Sequence, residues 1–150
     1  MEIQIRQANQ QDLASIADFQ LTMAWETESL KLDLPTVRQG VAHILNNPEI
    51  GCYWVAEYQG EVIACLLNLY EWSDWRNGNV LWIHSLFVKD PYKGQGVFRQ
   101  MYDFLKERVQ NDPDLRGIRL YVEKTNLNAQ KVYEAIGMTK EHYDLYEWLA

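Results

Sequence analysis

The chain has 150 residues, enough for one domain with a substantial core and too few for two. Its net charge is −7 and it has no basic cluster, which argues against nucleic-acid binding and makes a cationic substrate easier to accept. No apolar run could cross a membrane and the first ten residues lack signal-peptide features, so we expect a cytoplasmic protein.

The cysteines and histidines have no metal-ligand spacing, so no metal site is expected. Cys52 and Cys65 fall in apolar runs and are predicted to be reduced, buried residues. A turn at Gln59-Gly60 would put them on adjacent strands, where they could be diagonal neighbours on one face.

Hydrophobic periodicity predicts the following elements in the first half of the chain. Residues 2–7 alternate as a strand, and Asn9 begins a helix with apolar residues at helical spacing. A second helix begins at Asp33 or at the Leu-Pro that follows, and Asn-Asn-Pro ends it. Residues 52–58 and 61–72 form two strands of a hairpin.

The second half of the chain begins with residues 80–88, a nearly continuous apolar strand that should be central in its sheet. A helix from Gly96 follows, then a strand over 118–123 and a short helix over 128–136. The tail, including Tyr143 to Trp148, is predicted to form one or two last strands. The fold class is therefore α/β, with the order β-α-α-β-β-β-α-β-α-β and one optional further strand.

The link between strand 80–88 and the next helix contains Gly94-Gln95-Gly96. Backbone N–H groups at the start of a helix can bind a phosphate. A dinucleotide fingerprint would need glycine at Arg99, and the spacing of a nucleotide-triphosphate loop is absent. Spacing alone leaves the alternative that the two glycines only permit a tight turn.

A second motif lies thirty residues further on, with Asn126, Ala129, Tyr133, Gly137 and Met138 at the spacing Asn-x-x-Ala-x-x-x-Tyr-x-x-x-Gly-Met. Together the two segments resemble the GNAT superfamily of N-acetyltransferases, which bind acetyl-CoA. The family's helix motif ends in Gly-Phe, and its loop reads Arg/Gln-x-x-Gly-x-Gly/Ala.

The chain departs from the family's loop at two positions. Lys93 replaces the usual Arg or Gln, and it can meet a phosphate as a point charge without a bidentate fork. Phe98 replaces a small residue, and its bulk could narrow the phosphate site unless the side chain turns into the core.

The resemblance implies one GNAT-like domain over residues 1–150, in which parallel strands 80–88 and 118–123 splay apart. It implies acetyl-CoA as the acyl-donor cosubstrate, with no metal. The strand end would pair with the pantetheine arm and the N–H groups from Gly94 through Arg99 would hold the pyrophosphate. The implied cofactor-binding residues are Leu86, Phe87, Val88, Lys93, Gly94, Gln95, Gly96, Val97, Phe98, Arg99, Asn126 and Tyr133.

Acetyl transfer to an amine needs a proton acceptor, a polarised carbonyl and a protonated leaving thiol. The motif match makes Tyr133 the acid, against the alternative of a core aromatic. His84 is a candidate base, since imidazole accepts protons near neutral pH, or else a satisfied core residue. Glu71 is the other candidate, or else an exposed strand-end carboxylate. A backbone N–H near Leu86 or Phe87 could stabilise the oxyanion.

Two segments that mix aromatic and acidic residues border the acceptor pocket in the family's architecture. Such a mixture suits a small cationic amine, although aromatics packed at element ends beside solvated acids remain the alternative. The pattern is loosely similar to that of spermidine/spermine and thialysine N-acetyltransferases. The candidate acceptor residues are Trp25, Glu26, Glu28, Trp72, Asp74 and Trp75.

The predicted function is transfer of an acetyl group from acetyl-CoA to a primary amine by direct attack on the thioester, with a small cationic amine, a polyamine or an amino-acid-like molecule, as the expected acceptor. The alternative is an acyl-CoA-binding sensor or regulatory module without turnover. The C-terminal segment HYDLYEWL could pair across a homodimer or complete its own sheet. We expect no nucleic-acid or membrane partner.

Overall fold

The computed structural model describes all residues from Met1 to Ala150, which form two compact units. The second unit, Tyr121–Ala150, contains one helix, α4 (Leu127–Ala135). The first unit, Met1–Leu120, contains five strands and three α-helices. In chain order these are β1 (Gln4–Gln7), α1 (Leu13–Glu28), α2 (Leu34–Asn46), β2 (Gly51–Tyr58), β3 (Glu61–Ser73), β4 (Gly78–Val88), α3 (Val97–Asn111) and β5 (Leu115–Leu120).

The five strands form one mixed sheet in the order β1-β2-β3-β4-β5. The first four pair antiparallel, and β4 and β5 are parallel with α3 as their crossover. The α/β class, the order of elements from β1 to α4 and the inner position of β4 are thereby confirmed. None of the helices combines the length and the apolar composition that crossing a membrane requires.

The predicted strand over 118–123 was placed too late in the chain. Asp112 Oδ1 accepts a hydrogen bond from the Asp114 N–H at 2.9 Å, so the turn after α3 closes early and β5 runs from Leu115 to Leu120. Gly117 within the strand weakens the sequence signal that would have revealed this start.

The predicted last strands are absent. Residues 138–150 contain no helix or strand, and Tyr146 and Trp148 are 93% and 88% exposed. Alternating aromatic and acidic residues match the period of a strand, but a strand also needs a hydrogen-bonded neighbour, which a local pattern does not supply.

Helices α1 and α2 cover one face of the sheet. Phe19 of α1 stacks on Phe87 of β4 with ring centroids 4.8 Å apart, and both belong to one buried cluster. Helix α3 packs on the other face of the sheet, which the alternate strand residues form. There the rings of Trp54 and Phe104 make an edge-on contact, with their centroids 4.9 Å apart. The cluster under α1 and α2 consists of Ile16, Phe19, Val41, Tyr53, Val55, Cys65, Leu67 and Phe87.

The two cysteines are unpaired and buried, as expected, but they do not share a face. Cys52 pairs in register with Asn68 and Cys65 with Val55, a three-residue offset that puts them on opposite sides of the sheet. The prediction of diagonal neighbours was therefore wrong. Burial raises the pKa of the Cys52 thiol to about 11 and that of Cys65 to about 12, so both stay protonated.

A buried carboxylate ties β1 to the start of α1. Arg6 donates to both Asp12 oxygens at 2.8 and 3.0 Å, and the Asn9 N–H donates to Oδ2 at 2.8 Å. The hydrogen bond from Arg6 is the main cause that holds the pKa of Asp12 below its ordinary value.

We expect Asp12→Asn to lower the free energy of unfolding by about 1–3 kcal/mol at neutral pH. A depressed pKa in the folded state stabilises the fold above the unfolded-state value and loses that effect as pH falls through the folded value. The difference from wild type in urea unfolding should therefore shrink below roughly pH 4. Asp18→Asn, at an exposed position of α1, should show little change, and an equal loss in both variants would contradict the assignment.

Candidate functional site

The loop between β4 and α3 has a backbone conformation that favours glycine at two positions. After a 3-10 turn at Asp90–Tyr92, Gly94 and Gly96 adopt φ of 73° and 79°, in the left-handed region that disfavours other residues. A Cβ at either glycine would meet no protein atom within 4 Å. The glycines are therefore required by conformation rather than by close packing of the protein, and their backbone faces open space.

Gly96 is the N-cap residue of α3, and no side chain caps this helix. Its first N–H groups therefore point from the positive end of the helix towards whatever acceptor enters the loop. Val97, 2% exposed, anchors the first turn in the core. The Phe98 ring lies 6.1 Å from that of Tyr102, one turn further along α3, and Arg99 is exposed.

Lys93 supplies a cation immediately before the glycines. Its Nζ lies 2.6 Å from Asp90 Oδ1 and 3.5 Å from Glu26 Oε2. The hydrogen bond to Asp90 is the largest cause that raises the pKa of Lys93, so the ammonium stays charged. Gln95 Nε2 donates to the Pro91 carbonyl at 2.7 Å and closes the loop. A cation, two left-handed glycines and an uncapped helix start fit a phosphate-bearing cofactor.

The strand that leads into this loop has one open edge. Its parallel pairing with β5 runs from Asn79 to Ile83 and stops there, while pairing with β3 continues to Val88. Leu86, Phe87 and Val88 therefore have strand neighbours on one side only. The Phe87 side chain is buried against α1, so that residue has only backbone groups to offer on the open side.

His84 is the first residue of β4 beyond the parallel pairing. The β3 register passes from Ile83 opposite Asn68 to Ser85 opposite Leu67, so His84 is the extra residue of a β-bulge. Bulges redirect side chains, and His84 is exposed. The alternative of a satisfied core histidine was therefore wrong.

Sequence reasoning missed the polar groups beside this bulge. Asn68 is 1% exposed; its Oδ1 accepts from Trp54 Nε1 at 2.6 Å, while its Nδ2 has no partner. The Ser85 hydroxyl is likewise buried without a partner. The one available signal was an asparagine inside the apolar run of β3.

Glu71, the other candidate base, is exposed and lies 3.0 Å from Arg119 Nη1 of β5. It pairs in register with Val80, four residues before His84. That offset corresponds to about 13 Å along the strand. The two candidate bases therefore do not reach the same proton, and an ion pair already engages Glu71.

The first candidate acceptor segment lies at the end of α1. Trp25 is 61% exposed and, with Leu21 and residues 30–35, lines a cavity of about 520 Å³ between α1 and α2. Glu26 points instead to Lys93 of the glycine loop, and Glu28 ends the helix in an exposed position.

The second candidate acceptor segment spans the end of β3, which contains Trp72, and the connection to β4, which contains Asp74 and Trp75. Trp72 and Trp75 are exposed, and Asp74 Oδ1 accepts from the Trp75 N–H at 2.9 Å. This connection precedes the amino end of β4, whereas Glu26 contacts a residue beyond its carboxyl end. An eleven-residue strand is about 33 Å long. The structure therefore does not bring Glu26 to the second segment.

In the second unit, two residues of the helix motif, Asn126 and Gly137, lie at the two ends of α4. Asn126 Oδ1 accepts from the Ala129 N–H at 3.1 Å and caps the helix. Gly137, with φ of 95°, follows its C-cap, and the Met138 N–H donates to the Tyr133 carbonyl at 3.0 Å. The Tyr133 side chain is half-buried, and burial raises the pKa of its hydroxyl.

A sequence model of the Acetyltransferase (GNAT) family matches residues 11–138. The chain belongs to this family. The GNAT match includes the glycine loop, the open edge of β4 and helix α4. No three His, Cys, Asp or Glu side chains lie together in a way that could hold a metal ion.

Among curated proteins, the chain is similar to the thialysine N-epsilon-acetyltransferase of Bos taurus, at 31% identity over 98 residues. The match covers 65% of this chain and 52% of that protein, so the chain spans about half the length of this relative.

Two solved structures illustrate the range of similar folds. A possible acetyltransferase from Clostridium difficile 630 is 39% identical, with a TM-score of 0.93 over 100% of this chain and 99% of that one. An aminoglycoside N-acetyltransferase solved with CoA is 16% identical, with a TM-score of 0.79 over 99% of this chain and 95% of that one. At this low identity the second comparison bears on the fold alone.

Proposed function

We propose that this GNAT chain is an N-acetyltransferase that moves the acetyl group of acetyl-CoA to a primary amine by direct attack on the thioester. The observation that carries the proposal is that one continuous segment, from His84 to Val97, contains the features that suit a CoA site. It combines an open strand edge, a cation, two left-handed glycines and an uncapped helix start. These features suit a ligand with both an amide-containing arm and phosphates.

The cofactor-binding residues are proposed as follows. Lys93 and the N–H groups from Gly94 through Arg99, including those of Gln95, Val97 and Phe98, hold the pyrophosphate. The backbone of Leu86, Phe87 and Val88 pairs with the pantetheine arm, and Asn126 and Tyr133 contribute from the second motif. The packing of Phe98 along α3 towards Tyr102 supports a phosphate site that its ring does not fill.

Acetyl-CoA, when bound, supplies an activated thioester, and the chain moves two protons. His84 is proposed to accept the proton of the attacking amine, because it is exposed at the bulge where β4 leaves β5. Tyr133 is proposed to protonate the departing CoA thiolate, which leaves as the thiol, and the raised pKa of Tyr133 keeps that proton available. Glu71 is less suited to the role of base because Arg119 engages its carboxylate.

The proposed acceptor is a small cationic amine, polyamine-like or amino-acid-like. The net charge of −7 favours such a substrate, and an exposed tryptophan beside carboxylates can combine cation–π contact with charge pairing. Trp25, Glu26 and Glu28 form one proposed acceptor group, and Trp72, Asp74 and Trp75 a separate one at the amino end of β4. The name of the bovine relative, an N-epsilon-acetyltransferase for thialysine, supports the amino-acid-like class.

The experiment is thiol release from acetyl-CoA with a panel of diamines, polyamines, amino acids, aminoglycosides and peptide N-termini. Amine-dependent release, with the acetylated amine identified by mass spectrometry, is the expected result. Binding of CoA with no release for any amine would contradict turnover and support the non-catalytic acyl-CoA-binding module instead.

We also propose a homodimer in which the C-terminal segments, residues 142–149, of two copies pair with each other in the cytoplasm. Large apolar residues of this segment are exposed, including Leu145, Tyr146, Trp148 and Leu149. Unpaired Cys52 and Cys65 suit a reducing compartment. Light scattering should show a dimer that truncation after Glu141 converts to a monomer; a truncated dimer would contradict this interface.

A further inference from the structure

One ion pair in the first unit joins two segments for which the sequence predicts different ligands. Lys93 belongs to the proposed phosphate loop, and Glu26 lies near the end of α1, in a proposed acceptor segment. The Lys93 Nζ and a Glu26 carboxylate oxygen are 3.5 Å apart, although the residues are 67 positions apart in the sequence. Neither side chain is buried, so both could exchange partners.

Lys93 is shared by two carboxylates, those of Asp90 at 2.6 Å and Glu26 at 3.5 Å. A phosphate at the glycine loop would compete with both carboxylates for the Lys93 ammonium, and the negative charges of the carboxylates would repel the phosphate. Asp90 lies three residues before Lys93 on the loop itself, whereas Glu26 comes from another element. Release of Glu26 is therefore a change that phosphate binding would transmit from the loop to α1.

We propose that Glu26 is an acceptor-binding residue that couples the two substrates: Lys93 holds its carboxylate until a cofactor phosphate draws Lys93 away, and the carboxylate then accepts the cationic amine. This inference rests on the proposed function, specifically on the phosphate site at the loop. Coupling of this kind is reciprocal, so an amine that engages Glu26 leaves Lys93 free and tightens cofactor binding by the same factor.

The first test measures CoA binding by calorimetry at low salt and needs no acceptor. Glu26→Gln removes one competitor for Lys93 and should lower the CoA dissociation constant roughly two- to fivefold, the range of exposed ion pairs. Pantetheine has no phosphate, so its affinity should be the same in both proteins. Asp18→Asn, at an exposed position on the same helix, removes the same charge and should leave CoA affinity unchanged.

The second test compares the dissociation constant of 1,4-diaminobutane with and without saturating CoA. In wild type CoA should tighten diamine binding, and in Lys93→Met this ratio should fall to about one, because Glu26 is no longer held. If the ion pair had a merely structural role, the Lys93→Met substitution would leave this coupling ratio unchanged.

The outcomes separate the inference from the function on which it rests. An unchanged CoA affinity in Glu26→Gln, or an equal gain for pantetheine, overturns the coupling while leaving the cofactor site intact. An undiminished coupling ratio in Lys93→Met does the same. No CoA binding by the wild-type protein overturns the proposed function and the coupling together. If 1,4-diaminobutane does not bind the wild-type protein even with saturating CoA, the proposed transfer of Glu26 from Lys93 to a cationic amine is overturned.

Discussion

Replacement of Tyr133 by phenylalanine is expected to lower kcat by a factor of about 100 to 10,000, the usual range for a lost general acid. The CoA dissociation constant should stay nearly unchanged, because the ring and its packing remain. Burial raises the pKa of Tyr133 above its ordinary value, so the hydroxyl is the protonated, donating form at neutral pH. Steady-state kinetics with the best amine of the panel, together with calorimetry, measure both quantities.

The pH dependence of kcat sharpens this prediction. A raised pKa means that Tyr133 keeps its proton between about pH 6 and 9, so its deprotonation should not lower kcat in that interval. Tyr53→Phe is the matched control, since burial also raises the pKa of Tyr53, which packs in the core under α1 and α2. Unchanged turnover in Tyr133→Phe would remove Tyr133 as the acid.

Gly96→Ala is expected to weaken CoA binding at least roughly tenfold and to lower the free energy of unfolding by about 1–2 kcal/mol. The reason is the left-handed backbone, with φ of 79°, which alanine adopts only with strain. Relief of that strain would rotate the first N–H groups of α3 away from the loop, and the proposed phosphate ligands would be lost.

Gly40→Ala is the control for Gly96→Ala. Gly40 lies inside α2 with ordinary helical geometry and no atom within 4 Å of an added Cβ. Alanine there should stabilise the fold by about 0.5–1 kcal/mol and leave CoA affinity unchanged. Calorimetry and urea unfolding of both variants provide the comparison. Full CoA affinity in a destabilised Gly96→Ala protein would show that the loop does not hold the phosphates.

The sequence predicts those parts of the fold that local chemistry decides. Asp33 caps α2 with Pro35 in its first turn, and the β2–β3 hairpin turns at Gln59 and Gly60. The bounds of β5 and the state of the tail depend on a partner strand, which no local pattern reveals. The two cysteines were misplaced for the same reason: their faces depend on the register of β2 against β3, which differs from the predicted pairing.

The candidate site, like the fold, has parts that the local sequence predicts and parts that depend on contacts between distant residues. The glycine loop is a local motif, and its backbone angles match what the residues require. The contacts that tie Glu26 to Lys93 and Glu71 to Arg119 join distant parts of the chain and could not be inferred from spacing. The bulge that exposes His84 likewise arises from the register between β3 and β4.

Amide hydrogen exchange with and without CoA reports where on the chain the cofactor binds. We expect CoA to slow exchange at the open edge of β4, Leu86–Val88, and in the loop and first turn of α3, Gly94–Arg99. Asp74 and Trp75, in the connection between β3 and β4, should be unaffected. Protection confined to other residues, or no protection with saturating CoA, would show that the cofactor does not bind at this strand edge and loop.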